Sequence, residues 1–95
     1  MDQYMKAIQY SVYEKNNGTP VHRKTVDDYR DALDFVIEEI EKWNKNVCPD
    51  KKPTRFTVKE LFVFPGRQVV DGFIEVYVPE DLARLKNLSE PSVDF

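Results

Sequence analysis

Apolar and polar residues alternate from Tyr4 to Glu14. Ile8, Tyr10 and Val12 fall on one side; Ala7, Gln9, Ser11 and Tyr13 fall on the other. Aromatic and β-branched residues at period two predict a strand. Asn16-Asn17-Gly18 follows as a turn, because Asn and Gly tolerate positive φ. Thr19 to Lys24 can return as a short strand, which Pro20, having no N–H, would confine to an edge. The period then changes. Val26, Tyr29, Leu33, Val36, Ile40 and Trp43 recur at helical spacing and predict a helix from about Val26 to about Lys45. Thr25 is its expected N-cap, with Asp28 three residues later as in a capping box. Asp27 and Asp28 suit the positive end of the helix dipole, and Lys45 the negative end.

Asn46 to Pro53 reads as loop. Phe56 to Val78 is the least polar stretch and predicts two strands around a turn at Pro65-Gly66. Pro79-Glu80-Asp81 opens a short last helix, with Leu82, Leu85 and Leu88 along one edge. Ser89 to Phe95 is expected to be a tail on a single domain spanning residues 1–95. The expected class is α+β: a small antiparallel or mixed three-stranded sheet with the long helix on one face and a short C-terminal helix. A first strand running parallel to the second implies a right-handed crossover, and Gly72 to Val78 in the middle then gives the order 1-3-2. That is an incomplete ferredoxin-like arrangement by topological analogy, which carries no function.

Both faces of this sheet are apolar. On the second strand, Leu61 and Val63 oppose Phe56, Val58, Glu60, Phe62 and Phe64; on the third, Ile74, Val76 and Val78 oppose Asp71, Phe73, Glu75 and Tyr77. The aliphatic side, joined by Ile8 and Val12, is the expected seat of Leu33, Val36 and Ile40. The aromatic side, Phe62, Phe64, Phe73 and Tyr77, then needs a cover, since an apolar patch of that size marks an interaction site. The final helix and the tail with Val93 and Phe95, a second copy of the chain or a partner protein, or bases stacked on the rings would each serve. Glu60, Asp71 and Glu75 repel phosphate, and no basic, glycine-containing strand motif is present, so direct nucleic-acid binding is disfavoured. The second copy is the reading adopted.

Composition narrows the classes. The chain has 95 residues, 41% hydrophobic and 33% charged, as expected of one soluble globular domain. No stretch approaches the ~18 apolar residues of a membrane span, and MDQYMKAIQY is not a signal peptide, so a cytoplasmic protein is expected. Cys48 is the single cysteine, which excludes an internal disulfide and a cysteine-based metal site. The triplets Asn17-Gly18-Thr19 and Asn87-Leu88-Ser89 are read as chance matches to a glycosylation motif.

The formal charge of −3 is localised. Val26 to Asn46 holds seven acidic against three basic residues; the remainder holds ten acidic against eleven basic. Asp27, Asp31, Asp34, Glu38 and Glu41 are spaced 4, 3, 4, 3 and lie in one band of a helix. Such a stripe is a solvated face or a docking surface for a basic partner. Phe35, beside it and off the core arc, is a candidate apolar anchor.

Catalytic signatures are lacking. His22 and Cys48 are 26 positions apart with no third partner, so a solvated histidine and a loop cysteine are the simpler reading. Glu60, Asp71 and Glu75 could approach across the hairpin and hold a hard cation, but surface carboxylates on neighbouring strands are common. Val93-Asp94-Phe95 is too short a motif to assign a carboxylate groove. No cofactor is implied. The sequence reads as a small acidic, non-enzymatic protein acting through protein–protein contact, as a homodimer. The alternative is an acidic inhibitor or regulator of a nucleic-acid-binding protein, of the kind found in mobile elements. A small enzyme or metal-binding domain without a recognisable signature is the third class.

Overall fold

A computed structural model describes residues 7–46 and 52–89, except the side chains of Arg67 and Ser89. Cys48 and the tail residues Pro91, Val93, Asp94 and Phe95 lie outside the described residues. The elements are β1 (Ala7–Lys15), β2 (Val21–Val26), α1 (Tyr29–Lys45), β3 (Arg55–Phe64), β4 (Gln68–Tyr77) and α2 (Leu82–Ser89). Short 3-10 turns at Pro65–Arg67 and Pro79–Asp81 lead into β4 and α2. The fold is α+β, with four strands rather than three, in the order β2-β1-β3-β4 and antiparallel throughout.

This order corrects the ferredoxin-like 1-3-2 expectation. The chain makes a β1–β2 hairpin before it enters α1, so the helix leaves from β2. Because β1 is antiparallel to both β2 and β3, those two run parallel, with β1 between them and α1 as their connection. β4, which contains most of the stretch expected in the middle, lies at an edge. The helix also starts later than its periodicity suggests. Thr25 belongs to β2, and Asp28 is the N-cap, its carboxylate accepting from the Arg30 N–H at 2.9 Å.

The choice of sheet face is a matter of register. β1 pairs with β3 so that Val12 faces Val58, Tyr10 faces Glu60 and Ile8 faces Phe62. Directly opposed residues share a face, so the side carrying Val12 must carry Val58 and Phe56. Leu61 and Val63 are therefore on the other side. A one-residue slip would reverse this. The buried cluster accordingly joins Ala32, Leu33, Val36 and Ile40 of α1 to Val12, Phe56, Val58 and Tyr77 of the sheet and Leu85 of α2. The expected partners Leu61, Val63, Ile74 and Val76 are on the open face, away from the helices. On β1 and the centre of β3, that face is largely small or polar, with Gln9, Ser11, Tyr13, Thr57 and Lys59. The Lys59 ammonium stands 5.4 Å from the centre of the Tyr13 ring.

Candidate interaction surfaces

The acidic stripe is only partly a helix stripe. Asp27 precedes α1; Asp31, Asp34 and Glu38 are exposed on it; Glu41 is half-buried and reaches Lys86 of α2 at 3.0 Å. The stripe thus ends in a contact that ties the two helices together. Glu39, on the flank toward β2, is more enclosed. Burial works against its charge, but hydrogen bonds from Arg23 and Lys42 outweigh that and hold its carboxyl below the usual range. Arg23 also pairs with Glu14, linking β1, β2 and α1.

Phe35 is not an exposed anchor. It is half-buried against the core, and β2 supplies the reason. The β1–β2 ladder slips between Val12 and Tyr13, so Val12 faces Lys24 while Tyr13 faces His22. Arg23 is the extra residue of this bulge, and both Arg23 and Lys24 reach the helix side. Their cationic groups stand 5.5 and 5.4 Å from the Phe35 ring centre. Such contacts contribute roughly 0.5–1 kcal/mol each at exposed sites.

The aromatic residues proposed as a contact face are split. Tyr77 is fully buried, so it belongs to the core. Its hydroxyl is 2.9 Å from that of Tyr29 and donates to Glu75 Oε1 at 3.1 Å. Burial, then these neighbours, push its phenol far above the ordinary tyrosine range. Tyr10 is shifted the same way, by burial and by its hydrogen bond to Glu60 Oε2 at 3.2 Å. Tyr10, Tyr29 and Phe73 form a triangle with ring centres 5.5, 5.6 and 6.4 Å apart. At these spacings the rings pack on one another. Phe62 and Phe64 are half-buried outside the core cluster. Far from being the uncovered side, the aromatic face is the one on which the helices sit.

Glu60 and Glu75 share that face, whereas Asp71 does not. The β3–β4 ladder slips between Lys59 and Leu61. Lys59 faces Ile74, but Leu61 faces Asp71, which leaves Gly72 and Phe73 together opposite Glu60. This bulge inverts the alternation of β4. Close approach of two side chains favours glycine at position 72. A Cβ at this position would strike Glu60 Oε1 and lie 2.7 Å from the edge of the Phe62 ring. The carboxylate trio considered for a cation is therefore divided between two faces. Among the described residues no three His, Cys, Asp or Glu gather as metal ligands. His22 stacks edge-on against Tyr13, with Nε2 2.8 Å from the Thr25 hydroxyl.

Five of the seven exposed large apolar side chains among the described residues lie on β4. Its outer edge has no strand neighbour among the described residues. Val69 (54% exposed), Ile74 (52%) and Val76 (48%) project from the open face, and Val70 (49%) and Phe73 (38%) from the helix side. Edge strands are ordinarily protected by brevity, lysine or other charges, proline, or a bulge. β4 is ten residues long with no lysine or proline, and carries Asp71, Glu75 and one bulge. Val69, Val70, Ile74 and Val76 were not sequence candidates, although an internal glycine in a strand is a known sign of a bulge. No helix among the described residues is long and apolar enough to cross a membrane. The chain matches no protein-family model, no curated protein and no solved structure.

Proposed function

We propose that this chain is a small non-enzymatic domain that acts through protein–protein contact, with the β4 edge as its contact surface. The observation that supports this reading is the ten-residue edge strand, without a strand neighbour among the described residues, carrying exposed apolar side chains on both faces. Main-chain groups along such an edge give affinity by strand addition, and the flanking side chains select the partner. The experiment is affinity capture from the native cell with the wild type and with a Val69→Lys/Val76→Lys double variant, beside the solution mass of each. Both lysines project from the half-exposed open face, so folding should survive while contact is lost. Undiminished capture and an unchanged mass for the double variant would overturn the reading.

A second reading has its own observation. Asp27, Asp31, Asp34 and Glu38 are all exposed. An acidic surface of this kind suits a basic partner, including a nucleic-acid-binding protein held away from its substrate. On that reading, Asp31→Asn with Glu38→Gln should weaken partner capture and flatten its salt dependence. Capture that is equal at all salt concentrations leaves the stripe as a solvated face.

A further inference from the structure

The occupant of the β4 edge can be read from the strand's own pattern, on the premise that this edge is the contact surface. Because of the bulge, Asp71 and Val69 share the open face with Ile74 and Val76. Gln68, Val70, Gly72, Phe73, Glu75 and Tyr77 share the helix side. This pattern is a palindrome about the Gly72–Phe73 bond. Reading outward from that bond, each step reaches two residues on the same face: Asp71 and Ile74, Val70 and Glu75, Val69 and Val76, Gln68 and Tyr77. Directly opposed residues of an antiparallel pair must share a face. The strand therefore matches an inverted copy of itself along its whole length, in one register.

We propose that two copies of this chain pair β4 to β4 about a two-fold axis, joining two four-stranded sheets into one of eight. Val69 stands opposite the second copy's Val76, and Asp71 opposite its Ile74. Each contact is made twice, as an isologous interface demands. On the helix side, the Phe73 ring lies opposite the second copy's Gly72, where there is no side chain to obstruct it. Glu75, already held by the Tyr77 hydroxyl, lies opposite Val70. A register centred on Phe73 would instead set Asp71 against Glu75, two carboxylates on mismatched faces. The bulge removes that conflict, and the same geometry brings residue 72 close to Glu60 and Phe62, where glycine fits.

Charge at position 74 tests the register. Ile74→Asp sets a carboxylate opposite the second copy's Asp71 and should weaken dimerisation by about ten-fold or more. Ile74→Lys sets an ammonium there and should preserve or tighten it. Simple loss of apolar area, or simple damage to the fold, would weaken both alike, and that result would overturn the register. Cysteines provide the second test, in a Cys48→Ser background. Val69→Cys with Val76→Cys should give a covalent dimer on mild oxidation. Either single variant should not, since its thiols would lie roughly 23 Å apart, seven residues at ~3.3 Å. Val69→Cys with Ile74→Cys, two residues out of register, should not either.

Sedimentation of the wild type up to about 200 μM, far above a micromolar dissociation constant, decides the rest. A monomer throughout overturns self-pairing. Adding a synthetic peptide of the Gln68–Tyr77 sequence then separates the two levels. A monomer that binds the peptide keeps the edge as a strand acceptor, whereas one that does not loses that reading too. A monomeric wild type beside a dimeric variant lacking residues 90–95 would make the tail the occupant, and would also overturn self-pairing.

Discussion

Two leucines of similar appearance in the sequence should respond very differently to the same change. Leu33 is fully buried between α1 and the sheet; Leu61 is half-buried on the open face. Leu33→Ala removes buried methyl and methylene groups at about 0.8 kcal/mol each. Incomplete collapse of the cavity raises the loss to about 3 kcal/mol, inside the usual range of ~2–5. The helix returns a few tenths of this, because alanine is the better helix former. Leu61→Ala should cost about 1 kcal/mol for the lost part-burial, with roughly 0.5 more from the weaker strand propensity of alanine. Urea unfolding, followed by far-ultraviolet circular dichroism and Trp43 emission, reads both at one fixed protein concentration, since association would shift the midpoints. With ~4–8 °C per kcal/mol for a domain this small, Leu33→Ala should lower Tm by about 12–24 °C and Leu61→Ala by about half of that or less. An equal or larger loss at Leu61 would refute the assignment of faces, because it would place the helix on the side of Leu61 and Val63.

Other tests address the polar groups. Of the five tyrosines, Tyr10 and Tyr77 should resist ionisation when absorbance is followed through about pH 10, the ordinary midpoint, because burial and neighbouring carboxylates raise both. The sign follows: a raised folded pKa stabilises the fold below the unfolded value and loses that contribution as alkali ionises the phenol, so alkaline unfolding should release the last tyrosines together. All five titrating near pH 10 with native circular dichroism would contradict the burial of Tyr77. Glu39→Gln should cost about 1 kcal/mol at pH 7, where the exposed setting of Arg23 limits the pair. The folded carboxyl is depressed, so that difference from wild type should be complete above about pH 5 and vanish as pH falls through the folded value; a pH-independent difference would show that charge is not its source. Gly72→Ala should destabilise, since the added methyl meets Glu60 and Phe62; a Tm at or above that of the wild type would show that those side chains yield.

The strands, the long helix and the β3–β4 turn are legible from local pattern. Period two over Ala7–Glu14 and, outside the bulge, Phe56–Tyr77, period 3.6 over Tyr29–Trp43, and Pro65-Gly66 between strands are properties of neighbouring residues, and they survive in the fold. Even the short β2 is announced by Asn16-Asn17-Gly18 and bounded by Pro20. Pairing is another matter, because it joins residues about fifty positions apart. Whether Val12 shares a face with Val58 or with Leu61 depends on a single-residue register, and both faces are apolar enough to serve. Alternation alone therefore left the two equivalent, and the β1–β3 ladder decided for Phe56, Val58 and Tyr77. Strand order escaped local reading for the same reason: β4 is as apolar as the central β3, yet only closure of β1 between β2 and β3 places it at the edge. The two bulges complete the division. They turn Arg23 toward Phe35 and Asp71 away from Phe73, reversing side-chain direction by one extra residue that no propensity specifies. Sequence set the periodicity of each element, which backbone and side-chain sterics impose locally; tertiary structure set the partners, since long-range register is the outcome of burying one face of the whole sheet at once.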